Sequence, residues 1–220
     1  MWAGCSQWWT APCSPTASST RPRTAGTGGT TGSATEGQAW SGTDYNKLWL
    51  KSEGLVTNRG RFTDGQHEVL YDRAVSTYFD VQAGVRVDLD SGPTRTWAAL
   101  GVQGLSLYFF DVEATAYVSD RGRFAARFNA YYDLLITNRL ILQPRAELNV
   151  YGKADRGRGT GSGVSDLDAG LRLRHEITRK LAPYVAVTYT GRFFQSGRFT
   201  RQDGESTDDV RFTFGLRTWF

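Results

Sequence analysis

The sequence predicts an all-β fold: an antiparallel, up-and-down transmembrane β-barrel of about ten strands, behind a disordered N-terminal segment. Three observations predict it. From Asp44 onward apolar and polar residues alternate with a period of two, in runs of about ten residues, the length of a tilted membrane-crossing strand. Connections between runs alternate in kind, tight ones against ones that are longer or richer in glycine and charge. That parity matches short periplasmic turns and longer outer loops. Aromatic residues gather near the ends of the runs, as two interfacial girdles require.

Composition sets the bounds. The chain has 220 residues with 25 Gly and 6 Pro, enough for one all-β domain with an interior. A mean hydropathy of −0.43 and the lack of any apolar run near ~18 residues exclude a membrane-spanning helix. They do not exclude barrel strands, which are half apolar. The net charge is +4, but acidic and basic residues are interleaved, which argues against a nucleic-acid partner. The two cysteines, Cys5 and Cys13, both lie in the first segment. They imply no disulfide framework and no cysteine-based metal site.

Residues 1–43 read as a separate low-complexity segment, and 44–220 as the barrel domain. The segment is rich in Ser, Thr, Gly and Ala, carries Pro12, Pro15 and Pro22, and shows no periodicity, so disorder is expected. Its start, Met1 to Cys5, lacks the basic and apolar regions of an export signal. A barrel needs such a signal, and composition changes sharply near Trp40–Tyr45. The expectation is therefore a mis-read or frame-shifted segment. Translating the upstream DNA in three frames checks it, with a signal peptide or in-frame homologous segment as the expected finding.

The strands follow in order. Tyr45–Val56 sets Leu48 and Leu50 against Lys47, Trp49, Lys51 and Glu53, and a loop follows at Asn58–Gly65. His67–Thr77 is a weaker strand. Val81–Asp90 sets Val81, Val85 and Leu89 against Gln82, Arg86 and Asp88, after a short aromatic turn at Tyr78–Asp80. Arg95–Ser106 sets Ala98, Leu100 and Val102 against Trp97 and Gln103, and ends in a second aromatic turn, Tyr108–Phe110. Asp111–Ser119 puts Val112 and Val118 outward and Glu113 and Tyr117 on the other face. Arg123–Ile136 and Leu140–Tyr151 meet at a tight turn, Thr137–Arg139. A glycine-rich loop, Gly152–Ser165, leads to Asp166–Glu176. Leu181–Thr190 places Val185, Val187 and Tyr189 outward. After the longest loop, Gly191–Thr207, the closing strand Val210–Phe220 pairs with Tyr45–Val56 to complete the barrel.

In this arrangement the polar face lines a narrow lumen. It carries Lys51, Glu53, Arg86, Asp88, Glu113, Arg127, Arg145, Glu147, Asp168, Arg172, Arg174, Arg211 and Arg217. Charges of both signs in so small a space must pair, and Glu53 is a candidate partner for Arg211 or Arg217. Two readings follow: a salt-bridged filler, or a selective channel. The aromatics Tyr78, Phe79, Tyr108, Phe109, Phe110, Tyr184, Trp219 and Phe220 map to the turn rim, and Trp97, Tyr117, Tyr151 and Tyr189 towards the loop rim. Loop cations such as Arg59, Arg95, Arg156 and Arg192 fit the phosphates of outer-leaflet lipid.

No catalytic motif is present. Gly157–Gly163 follows no βα unit and is not a dinucleotide fingerprint. The two histidines, His67 and His175, map to opposite rims, so they share no metal, and neither is placed for a Ser–His arrangement. No catalytic or cofactor-binding residue is assigned, and metal ligands stay unknown. A soluble lipocalin-type cup and a membrane enzyme rank below the outer-membrane readings.

Several stretches resemble the copper resistance protein B family. They are Asp44–Lys51 with Glu53-Gly54, Phe79–Arg86, Pro144–Asn149, Gly170–Ile177, Ala182–Val185 and the end Phe212–Phe220. In order, they cover about 44–220. The resemblance implies an outer-membrane barrel of a Gram-negative cell and a role in copper homeostasis or resistance. It also implies copper ions, outer-membrane lipid and lipopolysaccharide, and periplasmic copper-resistance proteins as partners. The family's Met- and His-rich segment has no counterpart here, because Met1 is the only methionine and residues 1–43 hold no histidine. No copper ligand is carried over. The alternative is a small outer-membrane barrel acting as a narrow channel or structural membrane protein.

Overall fold

The computed structural model describes residues 16–23, 30–57, 62–89, 94–119, 122–153, 162–178, 180–193 and 207–218. They form one antiparallel sheet. Its first segments are β1 (Thr16–Arg23), β2 (Thr30–Gly42), β3 (Asn46–Thr57), β4 (Phe62–Ala74), β5 (Phe79–Asp88), β6 (Arg95–Leu105) and β7 (Asp111–Ser119). Then come β8 (Phe124–Tyr131), β9 (Leu134–Leu135), β10 (Leu140–Tyr151), β11 (Gly163–His175), β12 (Leu181–Arg192) and β13 (Asp208–Thr218). β8 and β9 both pair with β10 and are two parts of one strand, so the sheet has 12 strands. Neighbours in sequence are neighbours in the sheet, and β13 closes onto β1 through Thr16↔Thr218 to Thr20↔Phe214. Among the described residues, closure leaves no full-length strand at a sheet edge, which hydrocarbon would not tolerate.

The break between β8 and β9 has a local cause. Pro144 and Gln143 of β10 lie opposite it, between the pairs Arg145↔Tyr131 and Leu142↔Leu134. Proline offers no N–H to the ladder. The freed segment turns Asp133 towards the lumen, where Gln143 Nε2 donates to it at 2.7 Å and Arg174 Nη2 at 3.3 Å.

The barrel is inside out relative to a soluble protein. Leu48, Leu50, Val85, Leu100, Val187, Phe212 and Phe214 point outward and are exposed, while Glu68, Asp72, Gln82, Arg86 and Asp88 are buried. A hydrocarbon exterior reverses the usual preference. Tyr45, Tyr78, Tyr108 and Phe109 are exposed at the tight-turn rim, and Phe124, Tyr189 and Phe193 towards the other.

The sheet differs from the sequence expectation in three respects. It holds two strands beyond the expected ten or so, β1 and β2, from the segment without periodicity. A ladder joins backbone groups, so small polar residues can supply it without any hydrophobic pattern. The closing strand therefore pairs with β1 rather than with Tyr45–Val56. Three aromatics placed in the girdles also line the lumen: Trp97, Tyr117 and Tyr184 are all buried. Each shares the inward alternation of its strand, which outweighs its nearness to a strand end. Trp219, Phe220 and the loop residues Arg59 and Arg156 lie outside the described residues.

Tyr184 exists in its position because Gly215 faces it across β12 and β13. A Cβ at Gly215 would clash with the hydroxyl end of the Tyr184 ring. Gly215→Val is expected to push the ring into the lumen and destabilise the barrel by about 1–3 kcal/mol. Urea unfolding of vesicle-inserted protein, followed by tryptophan fluorescence, measures it.

Candidate functional site

The lumen is the candidate site, and part of it is filled by side chains. Trp49, Leu70, Trp97, Ala99 and Tyr117 form a buried apolar cluster, with Trp40 packed against it. A polar network caps this cluster. Arg86 Nε meets Asp88 Oδ1 at 2.7 Å, and its Nη1 lies 4.0 Å from Glu68 Oε1. Trp97 Nε1 donates to Asp88 Oδ2 at 2.9 Å, and the Tyr117 hydroxyl donates to Glu68 Oε1 at 2.9 Å. The Arg86 guanidinium also sits 4.9 Å from the Tyr117 ring centroid, a cation–π distance. One arginine thus contacts two carboxylates, each of which also accepts a hydrogen bond from an aromatic side chain.

Further groups bridge the lumen. Lys51 on β3 reaches Glu113 on β7 at 2.7 Å. Arg127 on β8 donates to Gln66 on β4 at 2.8 Å and lies 3.7 Å from Glu147. Glu147 also takes Arg145 at 2.7 Å. Arg211 binds Asp209 at 3.1 Å and Thr190 Oγ1 at 2.9 Å, and the Thr190 hydroxyl donates to Asp168. Arg211 is therefore satisfied on its own side of the barrel. Glu53 faces Arg127 and Arg145 instead, a correction to the partner expected from sequence. On the turn side, the Arg172 guanidinium lies 4.6 Å from the Tyr184 ring, and Arg174 meets Asp133 at 3.3 Å and Glu176 at 3.5 Å. Arg217 shares that wall and feels both arginines.

The histidines do other things. His175 ends β11 at the turn rim, opposite Leu140. His67 lies across the ladder from Ser52 on the outer wall, with Nδ1 2.9 Å from Ser52 Oγ. The sequence reading found no Ser–His arrangement, and the register of β3 against β4 creates this one. Among the described residues, no third side chain hydrogen-bonds the imidazole to orient it as a base.

Copper prefers thioether, thiolate and imidazole donors. Among the described residues, no group of three or more His, Cys, Asp or Glu is arranged to hold a metal ion. The two described imidazoles sit on separate strands, His67 within β4 and His175 at the turn end of β11. The described donor set does not fit copper.

The family model "Copper resistance protein B precursor (CopB)" matches residues 24–220. The chain belongs to the copper resistance protein B family. It is 49% identical over 181 residues to the copper resistance protein B homolog of Pseudomonas syringae pv. tomato, covering 82% of the chain and 61% of that protein. It is 43% identical over 182 residues to copper resistance protein B of Escherichia coli, covering 83% and 61%. The match thus spans less than two thirds of the length of these relatives. Among solved structures, the NanC porin superposes with a TM-score of 0.63 at 14% identity, covering 93% of this chain and 98% of that one, a likeness of fold. This copper resistance protein B family member is an outer-membrane β-barrel, as its relatives and its fold agree.

Proposed function

We infer that the chain is the membrane-embedded barrel of a copper homeostasis system and that it catalyses no reaction. Family membership carries this reading. It is supported by a lumen in which charged side chains are spent on one another rather than converging on a substrate-sized space. The outer wall contacts membrane lipid and lipopolysaccharide, while copper ions and periplasmic copper-resistance proteins are the partners of the whole protein. Copper ligands are not assigned to the barrel. The test is growth of a strain lacking the full-length gene in rising copper. Tolerance is expected to fall and to return with a plasmid copy, and unchanged tolerance rejects the copper role.

A second reading, a narrow channel, draws on the polar wall of the turn-side lumen. Single-channel recording in planar bilayers distinguishes it: stepwise conductance supports a channel, and a silent barrel supports a filled lumen.

A further inference from the structure

The charges of β11, β12 and β13 are sorted along the barrel. Towards the outer loops these strands carry Asp166, Asp168 and Asp209, with Arg211 among them. Towards the turns they carry Arg172, Arg174 and Arg217, and the stretches 169–175, 181–188 and 210–218 hold no Asp or Glu. The three arginines share one patch. Arg174 lies directly opposite Tyr184, and Tyr184 directly opposite Gly215. Arg172 is one inward step along β11 from this row, and Arg217 one inward step along β13. The Arg172 guanidinium stands 4.6 Å from the Tyr184 ring centroid, and Arg217 is close enough to be repelled by both Arg174 and Arg172. The other inward residues of the patch, Ala182, Ala186 and Thr213, are small and buried. The bulky cluster around Trp49, Leu70, Trp97 and Tyr117 stands on other strands, β3 to β7.

The counter-ions of this patch leave donors over. Asp133 at 3.3 Å and Glu176 at 3.5 Å both meet the same nitrogen of Arg174, Nη2. Arg174 is 6% exposed, and its Nε has no hydrogen-bond partner. A guanidinium presents its donors as a planar fork, and here one prong is buried and unmet, which is costly. Among the described residues, Arg172 makes no ion pair and stands outside the pairing found elsewhere in the lumen. Its contact is the Tyr184 ring. A ring face attracts the cation without supplying the oxygen acceptors that its fork fits. The patch is reached from the turn end, where the Asp133 and Glu176 side chains are 38% and 28% exposed.

We propose that the Arg172–Arg174–Arg217 wall binds a small oxyanion, a carboxylate or phosphate group, at the turn-side mouth of the lumen. Two oxygens on one centre match the guanidinium fork, and such charge-assisted bonds are stronger than neutral ones. The same wall repels metal cations, so the site neither rests on the copper reading nor falls with it. It also needs no continuous pore, so a barrel without conductance leaves it standing.

Equilibrium dialysis of the full chain, folded in a non-ionic detergent, with radioactive inorganic phosphate tests it. Saturable binding of about one phosphate is expected, weakened at least about tenfold by Arg172→Gln. That variant loses no ion pair, so it should keep the heat-resistant band of the folded barrel on a detergent gel. Arg172→Lys keeps the charge without the fork and should bind more weakly than wild type. Arg95→Gln, at the loop rim, should bind as wild type. Competition by sodium acetate marks a site open to carboxylates, and its absence marks one that selects phosphate. Sodium chloride at the same concentration should compete less than phosphate itself. Absence of saturable binding, binding unchanged in Arg172→Gln, or chloride competing as well as phosphate overturns the proposal.

Discussion

Arg86→Met is expected to destabilise the barrel by about 3–5 kcal/mol, the cost of stripping the partner from a buried ion pair. Asp88 and Glu68 are 4% and 5% exposed and would lose the guanidinium beside them. Trp97 and Tyr117 would each still donate one hydrogen bond, which does not neutralise a carboxylate. The triple variant Arg86→Met, Glu68→Gln, Asp88→Asn is expected to recover most of the loss, because the amides match shape without charge. Urea unfolding in lipid vesicles measures both. A loss under about 1 kcal/mol for the single variant, the range of solvated pairs, would show that water reaches this network.

Val187→Arg is expected to cost about 2–4 kcal/mol, since it places a guanidinium in the hydrocarbon. Its neighbour provides the contrast. Thr188 faces the lumen, directly opposite Arg211 on β13. Thr188→Arg then sets like charges across the ladder, at a cost of up to about 1 kcal/mol. Heat-resistant migration of the folded form in detergent gels compares the two variants. Equal loss would contradict the assignment of faces on β12.

The outward face was readable from the sequence because lipid enforces a period of two on every strand. Val85, Val187 and Phe212 obey it. The same alternation already set Trp97 and Tyr117 with the polar residues, so their burial follows from pattern alone, whereas their nearness to strand ends misled. What pairs across the lumen was not readable. Lys51 and Glu113 meet because of strand number and tilt, neither of which is written locally. The Ser52–His67 contact likewise depends on register. β1 and β2 were missed because Ser, Thr and Gly leave no hydrophobic trace where only backbone pairing is needed.

The seam between β1 and β13 has a kinetic meaning. It joins residues about as distant in the chain as any in the sheet, so loop-closure entropy opposes its formation. Until β13 docks, β1 and β12 each present a row of free amides, ready to capture a strand from another molecule. A chain cut before Asp208 should therefore aggregate rather than form a smaller barrel, because β12 and β1 would have to meet without the strand that now separates them. The last eleven described residues of the sheet thus govern whether the other strands become a pore-shaped monomer or a tangle.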